Sequence, residues 1–209
     1  EIQILIGETA IVISDNFDSN LGWDVGTIGD YASSGIWTRA IPYGTFLDGQ
    51  PVQTDEDHSE IGSFCFVTGN ANNPGAGYDD VDGGKTTLTS PIFDLIEYDF
   101  ALVSYWKWYT NDLGDSPNED YWQVDISNNG GSSWYSLENT TQSNNSWEYN
   151  QFIINEIVPN LTDNMLFRFI AEDSGNPSLV EAAIDDFMIQ VMIDSGLSGD
   201  INFDGSIDV

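Results

Sequence analysis

With 209 residues, 40% of them hydrophobic, the chain is long enough to bury a full core, as one large all-β domain or as two small ones. Its 35 acidic residues face only Arg39, Lys85, Lys107 and Arg168, a net charge of −31, which argues against a nucleic-acid partner or an anionic membrane surface because little here would neutralise phosphates. Seven Trp, nine Tyr and eleven Phe argue against disorder, and no apolar run reaches membrane-spanning length.

So much like charge repels itself, so the folded state is expected to gain from salt or divalent cations; a halophilic surface is the alternative reading. The single cysteine, Cys65, lies in the apolar run Phe64-Cys65-Phe66-Val67 and reads as a buried structural thiol.

The chain opens with two short β-branched runs, Ile2 to Ile6 and Ala10 to Ile13. They have no basic stretch before them and do not read as a signal peptide. Residues 1–14 are either the first strands of the sheet or an arm that pairs with another molecule. A turn-like acidic segment, Asp15 to Trp23, follows, then a strand around Trp37. Ile41 to Glu60 reads as loop, with Pro42, Gly44, Gly49 and Pro51, and holds the only histidine, His58. Ile61 to Gly69 reads as a strand.

The stretch Asp79 to Leu95, DDVDGGKTTLTSPIFDL, sets three carboxylates, Asp79, Asp80 and Asp82, on a loop ending in Gly83-Gly84. At ~5 Å and an effective dielectric near 20, two carboxylates repel by roughly 3 kcal/mol. The three must splay into water, take up protons or share a cation, and hard oxygen donors on a glycine turn suit Ca²⁺. A solvated acidic turn is the alternative. Lys85 to Ser90 then alternates like a strand, and Ile92 to Leu95 reads as another.

Tyr98 to Thr110 carries aromatic or aliphatic residues on both faces, which predicts a central strand. Tyr105, Lys107 and Tyr109 share one face and are candidates for stacking on a sugar, with a core role as the alternative. Further strands are predicted over Tyr121–Ser127, Trp134–Leu137, Trp147–Asn155, Asn164–Ala171 and Ile184–Ile193. SNNGGSSW (Ser127 to Trp134) resembles the Asp-box hairpin, with Asn129 in place of the Asp, and reads as structural. No helical period is evident. About a dozen strands with turn clusters between them predict a jelly-roll β-sandwich of two antiparallel sheets over residues 15–193.

Residues 194–209 read as a linker and a calcium loop. Asp200, Asn202, Asp204, Ser206 and Asp208 fall at positions 1, 3, 5, 7 and 9 of such a loop, with Gly205 at position 6. The run resembles the first calcium loop of a dockerin, cut before its twelfth position. An acidic tail is the alternative.

Taken in order, FDSNLGW, DDVDGGKTTLTSPIFDL, YWKWY, EDYWQVDISNNGGSSW and VEAAIDDF resemble the MAM-like jelly-roll modules of secreted bacterial proteins. Such modules often accompany zinc carboxypeptidases and precede dockerin-like tails. The resemblance implies a concanavalin-like sandwich that is extracellular and non-catalytic. It also implies a structural calcium between the first and last strands, with Asp18 and Asp186 as ligands and Asp82 or Glu181 as further ones. One His and one Cys cannot make both a nucleophile triad and a metal site. Carboxylate pairs such as Glu119 with Asp125, or Glu181 with Asp185, are expected by chance in so acidic a chain.

Three functional expectations follow. The first is a calcium-binding module that self-associates through its termini, including by strand donation into a filament, or that mediates adhesion. The second is a glycan- or protein-binding accessory module of a secreted hydrolase. The third is a plain spacer.

Overall fold

The computed structural model describes residues 8–193. Thirteen strands and one 3-10 turn, Ile154–Glu156, make up the regular structure of that range. One sheet runs β11 (Asn144–Ile153), β8 (Ala101–Gly114), β13 (Ser178–Ile193), β6 (Cys65–Thr68), β3 (Trp37–Ala40), with β1 (Glu8–Asp15) also paired to β13. The second runs β10 (Tyr135–Thr140), β9 (Trp122–Ser127), β12 (Leu166–Asp173), β7 (Gly84–Thr89), β2 (Asp24–Val25). All pairings within these two sheets are antiparallel, and the chain is a jelly-roll β-sandwich.

The core lies between the two sheets and is largely aromatic. Trp23, Phe66, Phe169 and Phe187 meet there at tilted or edge-to-face angles. Such contacts add to the plain burial of the rings. Phe17 is drawn into the same cluster with a left-handed backbone, φ 59°, an unusual conformation for a bulky residue. Arg39 supports the turn by donating from Nη1 to the Phe17 carbonyl at 2.9 Å.

β8 is central, flanked by β11 and β13, as its two-sided pattern requires. Its odd positions, Ala101 to Tyr109, face the core between the sheets. Its even positions face outward, where Trp108 joins Cys65, Val67 and Ala183 in a second small core. The segment expected as loop over 41–60 covers that outer face. It contains a hairpin, β4 (Thr45–Leu47) and β5 (Gln50–Gln53). The Val52 carbonyl accepts from Trp108 Nε1 at 2.8 Å and from Thr110 Oγ1 at 2.7 Å.

Other boundaries also move. The segment at Ile92–Leu95 is not a strand; only Phe93 bridges, to Met165, and the chain turns at Ile96–Glu97, where the Asp94 carboxylate accepts from the Ile96 amide at 3.1 Å. β8 continues to Gly114 through residues expected as acidic loop, and β13 begins at Ser178, not Ile184, because the two strands pair there. Glu8–Asp15 pairs with β13 of its own chain. The SNNGGSSW turn joins β9 to β10. Asn129 Oδ1 accepts from the Ser133 backbone at 2.9 Å, and the Gly131 amide donates to Ser127 Oγ at 2.9 Å.

Candidate functional site

β13 shifts register against β8 twice, between Leu179 and Glu181 and again between Asp185 and Met188, and the second shift builds the site. Before Asp185 its inward residues are Val180, Ala182 and Ile184; after Asp186 they are Phe187, Ile189 and Val191. The switch from even to odd needs an extra residue, and the register with β8 shifts between Asp185 and Met188. Asp186 takes the left-handed conformation this requires, φ 48°. Left-handed non-glycine residues of this kind concentrate at sites of function.

The two aspartates of the bulge hold the 55–59 loop over the outer face of the sheet. Asp185 Oδ2 accepts from the His58 amide at 2.8 Å and the Ser59 amide at 3.1 Å. Burial outweighs these donors and pushes its carboxyl up to about 7. Asp186 Oδ2 lies 2.7 Å from His58 Nδ1, and its Oδ1 accepts from Ser59 Oγ at 2.8 Å.

That contact fixes the imidazole flat on Trp106, centroids 3.7 Å apart and planes 17° apart. Trp147 meets His58 edge-on at 6.0 Å, and Tyr149 meets Trp106 at 5.5 Å. Gln151 Nε2 donates to the Tyr149 hydroxyl at 3.2 Å. The result is an aromatic ledge on the outside of the sheet, and Tyr149, 47% exposed, is its open end.

Beside the ledge is a pocket of about 400 Å³ lined by Pro42, Asp55, Asp57, His58 and Ser63 among others. Burial, then repulsion from Asp18 and Asp186, raises the Asp57 carboxyl above the usual range. Its Oδ2 is buried without a hydrogen-bond partner. Asp18 reaches this region from the left-handed turn at Phe17. Its Oδ1 accepts from the Ser63 amide at 3.0 Å. Gly62 takes φ 134°, a conformation that side chains rarely adopt, and a Cβ there would also come within 2.1 Å of the Asp18 carboxylate. The fold thus brings Asp18 and Asp186, 168 positions apart in the chain, close enough to Asp57 for both to repel its charge.

The other expected acids divide. Asp79 Oδ2 caps the Asn70 amide at 2.8 Å. Asp82 Oδ2 accepts from Ser34 Oγ at 3.3 Å. Asp80 is buried, and its carboxyl is raised to about 7 by burial and then by Asp82. The three do not form one cage. Glu181 is buried on the outer side of β13, where Oε2 accepts from Gln53 Nε2 at 2.9 Å; burial holds its carboxyl well above the usual range. Asp200, Asn202, Asp204, Ser206 and Asp208 lie outside the described residues. Among the described residues, no three His, Cys, Asp or Glu side chains converge as a metal cage.

Tyr105, Lys107 and Tyr109 are not a sugar platform. Odd positions of β8 face the other sheet, so Tyr105 is 1% and Tyr109 0% exposed. Lys107 is buried with them and pairs with Glu138 at 2.5 Å, while Tyr105 Oη and Trp122 Nε1 each donate to Glu138 at 2.8 Å. On β8 and its neighbour β11, the rings that reach the outer face are Trp106, Trp147 and Tyr149. Asp125, one half of an expected carboxylate pair, is bound by Arg168 through Nε at 2.9 Å and Nη2 at 2.8 Å.

Asp57, Asp185 and Tyr149 were absent from the residues expected to form a site. The Asp185-Asp186 doublet was the available signal, since two adjacent carboxylates interrupt an apolar strand.

No family model matches the chain, and no curated protein matches it. Among solved structures it is similar to the K1 cleaved adhesin domain of Lys-gingipain from Porphyromonas gingivalis W83. The two are 15% identical over 88% of this chain and 98% of that one, with a TM-score of 0.52. The CBM22-1 xylan-binding domain of Paenibacillus barcinonensis Xyn10C aligns at 10% identity over 91% of this chain and 100% of its own, with a TM-score of 0.45. The likeness is one of fold. Among the described residues, no helix is long and apolar enough to cross a membrane.

Proposed function

We propose that this chain is a non-catalytic extracellular binding module, and that its ligand, a glycan, stacks on the ledge formed by Trp106, Tyr149 and His58. The observation that carries this reading is the ledge itself. An exposed tyrosine continues a row of rings whose inner end is held by the Asp186–His58 contact. Gln151 and the neighbouring pocket offer polar partners for hydroxyl groups. The adhesin domain that shares the fold is consistent with a binding role.

Calcium belongs to the same proposal. The unpartnered Oδ2 of Asp57, repelled by Asp18 and Asp186, fits a cation neighbour, with water and other oxygens completing its shell in place of a preformed carboxylate cage. The metal would neutralise the acids and tie the 55–59 loop to the first and last strands. Membership of the MAM-like modules and of a calcium-linked assembly is proposed on the quoted motifs alone. The segments invoked for self-association, 1–7 and 194–209, lie outside the described residues.

A glycan array on the whole chain tests the ledge. Tyr149→Ala and Trp106→Ala are expected to weaken any glycan bound by the wild type at least tenfold, about 1.4 kcal/mol. Tyr105→Phe, altered within the core, is expected to leave binding unchanged. Absence of any glycan ligand, or equal binding by Tyr149→Ala, would overturn the reading.

A further inference from the structure

A second cleft, of about 370 Å³, opens at the end of the sandwich where β8 finishes at Gly114 and β13 begins at Ser178. Its walls include Leu47 at the tip of the β4–β5 hairpin, Pro177 and Leu179. Asp80 and Asp82 line it from below, and exposed Asp115 lines its rim. It is separate from the aromatic ledge.

Asp80 is the unusual member. It is only 3% exposed. Val81 beside it is sunk in the core, while Asp80 lines the cleft. Its carbonyl accepts from Ser34 Oγ, but its carboxyl is hydrogen-bonded to its own backbone N–H. The ion pairs among the described residues lie elsewhere, at His58, Lys107 and Arg168. A buried carboxylate whose donor is its own amide, with no cation beside it, is costly, and an incoming cation that carries its own N–H donors would relieve it.

The walls decide which cation. A hydrated divalent ion gains nothing from Leu47, Pro177 and Leu179, and no metal cage converges among the described residues. An alkyl stem ending in an ammonium or guanidinium matches both parts of the cleft, since such side chains lay apolar stems on apolar surface and extend the charge beyond.

We propose that this cleft receives a lysine or arginine side chain of a partner protein, its stem against Leu47 and Leu179 and its charged head at Asp80 and Asp82. The chain's net charge of −31 favours a basic protein as that partner.

The test is a methyl NMR titration of the whole chain at pH 8, metal-free, with Nα-acetyl-lysine methylamide and Nα-acetyl-arginine methylamide. Nα-acetyl-norleucine methylamide, which keeps the stem and loses the charge, and calcium chloride are the control arms. At least one charged probe is expected to shift the Leu47 and Leu179 methyls saturably, with the neutral probe inert. Asp80→Asn should weaken that binding roughly tenfold. Leu47→Ala, at an exposed hairpin tip, should weaken it severalfold with core methyls unmoved, and it decides the matter if Asp80→Asn fails to fold. No saturable shift from either charged probe, equal shifts from the norleucine probe, or saturation by calcium with the charged probes inert would each overturn the proposal.

Discussion

Glu138 and Asp185 are both carboxylates shielded from water, and they are held in opposite ways. Glu138 has a full set of donors that includes a cation, with Lys107 on one oxygen and Tyr105 and Trp122 on the other. Asp185 has amides and hydroxyls only, and Asp186 beside it adds a second negative charge. With four Lys and Arg residues in the chain, where they stand shows what the fold requires. Lys107 and Arg168 tie acids within or beside the sandwich, and Arg39 braces the Phe17 turn. The acids left without a base gather where loops meet the central bulge of β13 and its start at Ser178. Those are the places where an external cation has most to contribute.

The largest effect should come from removing the internal cation. Lys107→Met leaves Glu138 buried against the Tyr105 and Trp122 donors without its charge partner. The expected loss is about 3–5 kcal/mol, read as a lower denaturant midpoint. Adding Glu138→Gln to that variant should restore part of the loss. A cost below about 1 kcal/mol for Lys107→Met would mean that the pair is solvated like a surface bridge, and the contrast with Asp185 would fail.

Calcium should act at the other region and nowhere near Glu138. With a dissociation constant near 10 μM and ~10 mM free calcium, binding adds about 4 kcal/mol. In a chain of this size that raises Tm by roughly 8–16 °C over the same protein in EDTA at matched ionic strength. Asp57→Asn should remove most of the response, while the Lys107 variant keeps it. An unchanged Tm would end the calcium proposal.

The metal-free protein should show the opposite dependence on pH. Asp185 and Asp80 have folded values of about 7, and Asp173 about 6, all above the ordinary carboxyl value of 3.8. The native state therefore binds more protons than the unfolded chain between about pH 4 and 7. Its stability is fullest below that window and falls as pH rises through it, by about 2 kcal/mol from Asp185 alone between pH 5 and 8. The repelling or buried neighbours are Asp186 at Asp185, and Asp79, Asp82 and Asp173 at Asp80. Calcium, which requires the ionised carboxylates, should flatten or reverse that slope.

Much of the architecture was legible because it is local. Two-sided apolar coverage marked β8 as central, and Asn129 with its glycines marked the β9–β10 hairpin. What period alone leaves open is which face of a two-sided strand meets the opposite sheet. Tyr105 and Tyr109 therefore looked as available as Trp106. The opposite sheet buries the odd face, whereas the 41–60 hairpin covers only part of the even face and leaves Tyr149 at the edge. Asp18 and Asp186 were expected together only through family resemblance. Their meeting at Asp57 depends on closure of the first strand against the last, which no local pattern encodes.

The smallest expected effect separates backbone strain from charge at the bulge. Asp186 is left-handed, a conformation that asparagine also tolerates and alanine does not. Asp186→Asn keeps that backbone and an acceptor for His58, and should cost less than about 1 kcal/mol in EDTA. Asp186→Ala meets the left-handed penalty of about 1–2 kcal/mol and also frees the His58 ring. If charge at this position serves metal binding, Asn should blunt the calcium-induced rise in Tm although its EDTA stability is nearly that of wild type. If the residue serves only the bulge, the Asn variant should respond to calcium in full. Loss of metal response in a variant of nearly unchanged fold would then place the function of the doublet in its charge, and the geometry of the bulge in its backbone.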